Sequence, residues 1–361
     1  MKKQLIRSLF SDDMPRSRWL SALLLLIFLA LALAPFITSG ARPLNTAATI
    51  CIYVILVASY DLLLGYTGIV SFAHTMFFGI GAYGIGLSLS DNGPYWWVAF
   101  AGLIAALILT VVLALIVGLF ALRVRAIFYS MITLAVASSF AVLASQLSDL
   151  TGGEDGKTFS VPEILSPAYR LFETEIFGRV FDGKVITYYI VFFSSVLLFL
   201  FLLRVVNSPF GRVLQAIREN EFRAEALGYR TVLYRVLANC LAALVAALAG
   251  GLMALWLRYV GPKTMLSFDV MTDILLIVVI GGMGTMYGAV VGSALFIIAQ
   301  NYLKSLMAQA STALVGVPLA AQALHPDRWM LWLGVLFVLS VYFFPTGIVG
   351  KLRGNRPIDK P

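Results

Sequence analysis

The sequence predicts an all-α polytopic membrane protein of about ten transmembrane helices, with eight or nine allowed if the shorter spans are re-entrant. Three observations lead there. The 361 residues are 60% hydrophobic and 12% charged, with a mean hydropathy of +0.92, where ordinary soluble chains are about 45–50% apolar and about 25% charged. The apolar residues fall into runs close to the ~20 residues that cross a ~30 Å hydrocarbon layer. Lysines and arginines gather at the ends of those runs, as expected when basic residues are costly to translocate.

The runs lie at about 19–39, 44–64, 68–90, 96–121, 127–147, 186–206, 235–257, 270–284, 288–307 and 329–345. The first is read as a retained helix, because it is longer than a signal-peptide core and lacks a small-x-small cleavage site. Residues 1–18 are then a cytoplasmic N-terminal segment, 19–347 the transmembrane domain and 348–361 a cytoplasmic tail. Lys2, Lys3, Arg7, Arg16 and Arg18 place the N-terminus inside. Ten spans then put Arg123, Arg125, the arginines of 204–235 and Lys351, Arg353, Arg356 and Lys360 on the same side. The opposite side receives the loop 148–185, whose acids Asp149, Glu154, Asp155, Glu163, Glu173, Glu175 and Asp182 outnumber its bases.

Composition excludes several functions. Cys51 and Cys240 lie inside apolar runs, so neither a disulfide framework nor a thiolate metal site is expected. His74 and His325 are too few and too far apart for a metal cluster, and no cofactor is expected. The net charge of +8 and the pI of about 9.5 follow from charge sidedness rather than from nucleic-acid binding. Residues 152–158, Gly-Gly-Glu-Asp-Gly-Lys-Thr, resemble a phosphate-binding loop. Thr151 stands where its first glycine belongs, two acids occupy the phosphate position, and no strand precedes it.

Within the cytoplasmic loop 207–234, Ser208 is a candidate N-cap, Pro209 suits the first helical position, and Gly228 suits a stop. Phe210, Val213, Leu214, Ile217, Phe222, Ala224 and Leu227 recur at near-helical spacing, which predicts one amphipathic helix over 209–227. Such a helix can lie in the lipid interface. The mixture of Arg212, Arg218 and Arg223 with Glu219, Glu221 and Glu225 favours a groove on a protein partner instead.

Six glycines between Gly65 and Gly86 are too many for a regular lipid-facing helix. Either backbones approach closely there, or the helix breaks and lines a cavity. Tyr66, Thr67, Ser71, His74 and Thr75 supply hydrogen-bonding groups at membrane depth, which makes them candidates for the solute pathway. Gly284, Gly288 and Gly292 have the spacing that lets helices cross closely. Asp61, Asp269 and Asp273 form no acidic relay across the membrane.

Four stretches also carry a family resemblance: Gly211–Glu221 with Glu225–Gly228; Tyr60–Gly68 continuing through Ser71, His74 and Phe77–Tyr83; Thr151–Gly156; and Ile280–Ala289. In this order, over roughly residues 45–350, they resemble the LivM-type permease subunit of branched-chain (hydrophobic) amino-acid ABC importers. The sequence departs from that pattern at Phe72 and Ala73, where the family more often carries Leu and Gly.

The resemblance implies a subunit of the bacterial inner membrane, with both termini cytoplasmic, that does no chemistry itself. It would pair as a heterodimer with a second related permease, two cytoplasmic ATP-binding subunits and an external solute-binding protein. Its cargo would be a small organic solute, a branched-chain or other hydrophobic amino acid, with urea, amides and aromatic acids carried by relatives. Tyr66, Thr67, Gly68, Ser71, His74, Gly282 and Gly284 would belong to the substrate pathway. Phe210, Gly211, Arg212, Val213, Ile217, Arg218, Glu219, Glu225 and Gly228 would form the coupling helix on the ATPase, with Phe210, Val213 and Ile217 buried in its groove. An ion- or proton-coupled secondary transporter is the alternative, and it would need intramembrane acids or two inverted halves.

Overall fold

The computed structural model describes residues 17–37, 40–121, 126–170, 182–313, 325–344 and 346–352. The basic residues expected at 1–16, 123, 125 and 353–361 and the acids Glu173 and Glu175 lie outside them.

The described chain is almost wholly helical. In order it forms α1 (Arg18–Ala32), α2 (Ala34–Ile37), α3 (Ala41–Thr67), α4 (His74–Asn92), α5 (Trp96–Ala121), α6 (Ala126–Gln146), α7 (Ser148–Thr151), α8 (Gly183–Asn207), α9 (Pro209–Glu219), α10 (Glu221–Ala226), α11 (Thr231–Leu257), α12 (Pro262–Met265), α13 (Phe268–Gly281), α14 (Met286–Ala313), α15 (Trp329–Phe343) and α16 (Gly347–Leu352). Among the described residues, eight stretches are long and apolar enough to cross a membrane: α3, α5, α6, α8, α11, α12 with α13, α14, and Pro326–Leu352. Two of the ten expected spans fall short of that. The first holds only 15 helical residues in α1, and the third is α4, whose glycines and polar residues dilute its apolar character.

Helix α4 sits inside the bundle, packed against α11 and α5. A Cβ on Gly81 would strike the Ala247 carbonyl, and one on Gly250 would strike that of Phe78. Small residues on both helices therefore let two backbones meet. The glycine-rich segment combines a close backbone approach with a break in the helix. It packs closely over 79–86, and it is non-helical between Gly68 and Ala73, so the expected span 68–90 starts at His74.

At one end of the bundle the loop after α6 folds down. Strands β1 (Lys157–Thr158) and β2 (Tyr259–Val260) pair antiparallel, and Lys157 meets Asp91 at 3.5 Å. Arg258, at the end of α11, donates to the Leu165 carbonyl at 3.0 Å. Burial pulls its pKa below the ordinary guanidinium value, and Asp182 opposes that shift. The phosphate-loop lookalike is thus a turn. Gly152, Gly153 and Gly156 all take positive φ, and Gly156 lies against the Val260 carbonyl.

The predicted helix 209–227 is two helices. Ser208 caps α9 through the Gly211 N–H at 3.4 Å, with Pro209 at its start. Asn220 then leaves helical geometry (φ −161°, ψ 101°) and caps α10 by accepting from the Arg223 N–H at 3.0 Å. An asparagine side chain that can bond a backbone N–H three residues on competes with the helix and restarts it.

Candidate functional site

At the end of the bundle opposite the paired strands, three chain breaks and α9 converge. The last turn of α3, the turn 282–285 between α13 and α14, and Gly347 at the start of α16 meet there. Asp61, nearly two turns before the end of α3 and 2% exposed, accepts the Gly284 N–H on Oδ1 at 2.9 Å. Arg218 of α9 donates through Nη1 to the Gly65 carbonyl. A Cβ on Gly65 would collide with both Asp61 Oδ1 and the Gly284 nitrogen, so only glycine fits between them. Gly68 caps α3 at φ +75°, with the Arg218 methylenes across it, and Gly284 adopts φ +77° beneath the same guanidinium. Gly282 (φ +116°) packs on Gly347.

The candidate pathway residues adjoin this junction. Tyr66, Thr67, Ser71 and His74 are buried, Gly68 is exposed, and Gly282 is buried beneath Gly347. Thr67 donates to the Leu63 carbonyl at 2.6 Å. His74 Nε2 lies 2.9 Å from Ser59 Oγ, and its ring stands edge-on to Tyr60 at 5.2 Å between centroids. The non-helical stretch 68–73 is held by α6: Ser130 donates to the Val70 carbonyl at 2.8 Å, and the Phe72 N–H donates to Thr133 Oγ1 at 3.1 Å. In this conformation the polar segment is packed into the bundle rather than facing an open cavity.

The coupling residues divide differently from the expectation. Phe210 stacks on Tyr234, while Val213 and Ile217 are buried with Ala224 and Tyr234. Leu214 enters the main core, and Gly211 permits the close approach of α9 to the Val206 carbonyl at the end of α8. The apolar face of α9 is thus packed against its own chain, where Phe210, Val213 and Ile217 were expected to fill a partner's groove. Periodicity shows that a helix has an apolar face, and it leaves open what covers that face. Arg218 is exposed, and its guanidinium reaches back to the Gly65 carbonyl. Glu225 accepts from the Thr231 hydroxyl at 2.8 Å, and Glu221 takes both ends of the Arg235 guanidinium at 2.6 and 3.1 Å. Arg212 and Glu219 remain exposed, as does Gly228, which ends the segment at φ +89°.

The spacing put Phe222 and Leu227 on the same apolar face as Val213 and Ile217, and the structure leaves both exposed. Phe222 is 86% exposed and Leu227 is 72% exposed, and the charged residues Glu219 and Arg223 flank Phe222 in sequence and are also exposed. Their signal was present in the sequence, as apolar side chains that fall off the α9 stripe once Asn220 restarts the helix.

A bundle of membrane-length helices with buried polar breaks and a braced amphipathic helix at one end defines a polytopic all-α membrane protein. Residues 42–341 match the family described as the permease component of the branched-chain amino acid transport system, and the chain belongs to that family. It is 27% identical over 350 residues to the high-affinity branched-chain amino acid transport system permease protein LivM of Escherichia coli, covering 92% of this chain and 75% of that one. Its identity to the probable LivM of Methanocaldococcus jannaschii is 28% over 340 residues, covering 86% and 92% respectively. The LivH permease of Salmonella typhimurium matches at 23% over 304 residues, covering 83% and 91%. No solved structure matches the chain.

Proposed function

We propose that this chain is one permease subunit of an ABC importer that moves a small organic solute, a branched-chain or other hydrophobic amino acid in the first place, into the bacterial cytoplasm. A second, LivH-like permease would complete the membrane unit, two ATP-binding subunits would supply the energy, and an external binding protein would deliver the solute. The observation that carries this reading is the exposed tip of α10. Phe222 and Leu227 stand out from a segment of mixed charge at the end of the bundle where Arg204, Arg212, Arg223 and Arg230 collect. Exposed apolar groups rimmed by charge mark protein or membrane contacts, and the mixture of both charge signs here favours a protein.

On this reading α9 is the brace and α10 with Phe222, Leu227, Arg212, Glu219 and Arg223 is the surface offered to the ATPase. Burial of Tyr66, Thr67, Ser71 and His74 supports a role for them in holding the break at 68–73. Solute would pass beside this segment, and beside Gly282 and Gly284, when the bundle opens. The test is reconstitution with the partner subunits in liposomes. Uptake of radiolabelled L-leucine should require ATP on the side of Phe222 and binding protein on the side of Asp155. Uptake driven by an ion gradient without ATP would favour the secondary-transporter alternative.

A further inference from the structure

Asp61 is a fully enclosed acidic side chain in a membrane helix, facing the backbone N–H groups of the 284–285 turn. Its Oδ1 holds Gly284, while Oδ2 has no hydrogen-bond partner among the described residues. A buried carboxylate is retained only where a countercharge or a function supports it. Arg218 reaches the same turn: its Nη1 would stand 3.0 Å from a Cβ on Gly284, and it donates to the Gly65 carbonyl. That carbonyl belongs to the last turn of α3, whose C=O groups lack helical partners and carry the negative end of the helix dipole. Packing already ties α9 to α3, α8 and α11. Arg218 extends the tie to the turn between α13 and α14, an element distant in sequence.

We propose that Arg218 and Asp61 are a positioning pair. Arg218 fixes α9 on the end of α3, and Asp61 fixes the facing turn at Gly284 to the same point. A displacement of α9 therefore moves the ends of α3, α13 and α14 together. This rests on the reading of α9 and α10 as the part that meets an ATPase. It goes beyond that reading by naming the joint through which the motion enters the membrane helices. The glycines are required by the same arrangement, because a Cβ on Gly65 would force Asp61 away from Gly284.

The experiment uses the complete transporter in liposomes and reads three quantities: ATPase subunits retained, ATP hydrolysed, and L-leucine taken up per ATP. Asp61→Asn is isosteric and keeps an acceptor for Gly284, while Arg218→Ala removes the donor and Arg218→Lys keeps a charge. Asp61→Asn and Arg218→Ala should each lower leucine per ATP by about fivefold or more, with the ATPases still attached and hydrolysing. Arg218→Lys should recover part of the loss. The double variant should be no worse than the poorer single one, because both act on one joint. Leucine per ATP unchanged in both single variants, multiplying losses in the double variant, or detachment of the ATPases in place of uncoupling would each overturn the proposal. If Arg218→Ala is not recovered from membranes, Arg218→Lys and Asp61→Asn decide it by the same ratio. A wild-type complex without ATP-driven uptake would bring down the functional reading itself, and that result is distinct from a transporting wild type whose variants keep their ratio.

Discussion

Phe210 and Tyr234 stack with their ring centroids 5.7 Å apart and their planes 25° from parallel. The contact joins the start of α9 to the first turn of α11, so the amphipathic helix is seated on its own bundle before any partner arrives. Its remaining apolar neighbours, Val213 and Ile217, complete the seat.

Phe210→Ala should therefore loosen α9 in the isolated chain. A half-buried stacked pair contributes about 0.5–1.5 kcal/mol beyond its buried area, which corresponds to roughly tenfold faster amide exchange in 209–219 if α9 opens locally. Hydrogen exchange of the chain alone in nanodiscs measures it. Unchanged protection would mean that the seat is not what holds the helix.

Phe222→Ala should behave in the opposite way. The side chain is 86% exposed, and surface truncations away from special features usually change stability by less than about 0.5 kcal/mol. An aromatic anchor at the centre of an interface can cost about 2 kcal/mol or more when truncated. The variant should melt like the wild type yet release ATPase subunits on size exclusion. Full retention of those subunits would move the contact elsewhere on the chain.

The contrast between these two phenylalanines marks where sequence reading stops. Hydropathy runs and flanking charge placed the long spans well: α3 at Ala41–Thr67 falls on the run 44–64, and α8 at Gly183–Asn207 on 186–206. Such runs are local, and apolar length determines them. The restart at Asn220 was also local, but a continuous apolar stripe outweighed one capping side chain. Asp61 was visible as a carboxylate near a helix end. Its partner Gly284 lies 223 positions away, a separation that no periodicity reports.

A glycine comparison tests the tightest helix contact. Gly81→Ala puts a methyl group into the Ala247 carbonyl, whereas Gly334 in α15 has open space around it. Overpacking against backbone costs about 1–3 kcal/mol, while alanine in place of an exposed helical glycine gains up to about 1 kcal/mol. Thermal unfolding in detergent should show Gly81→Ala lowered and Gly334→Ala equal or raised. Equal melting of the two variants would contradict the α4–α11 contact.

His74→Leu separates packing from passage. The substitution removes the imidazole beside Ser59 Oγ, which still bonds the Leu56 carbonyl at 2.8 Å. The loss is therefore about 1 kcal/mol, the size of one hydrogen bond. The unfolding temperature should fall while the leucine concentration giving half-maximal uptake stays the same. A shift in that concentration without a change in unfolding temperature would make His74 a solute contact.

Sidedness can be read directly, because the two ends of the bundle carry different chemistry. Asp155 lies in the strand-bearing end, where its backbone carbonyl accepts from the Tyr259 hydroxyl at 2.9 Å and Glu154, Glu163 and Asp91 stand nearby in exposed positions. Phe222 lies at the arginine-rich end. Basic residues accumulate on the cytoplasmic side because translocating them is costly, so Asp155→Cys should face outward and Phe222→Cys inward. The native thiols Cys51 and Cys240 are both buried, which keeps background labelling low. An impermeant maleimide added to intact cells should label position 155 at once and position 222 only after the membrane is opened. Labelling at 222 in intact cells would invert the bundle, and with it the assignment of α10 to the ATPase, because ATP is available only on the cytoplasmic side.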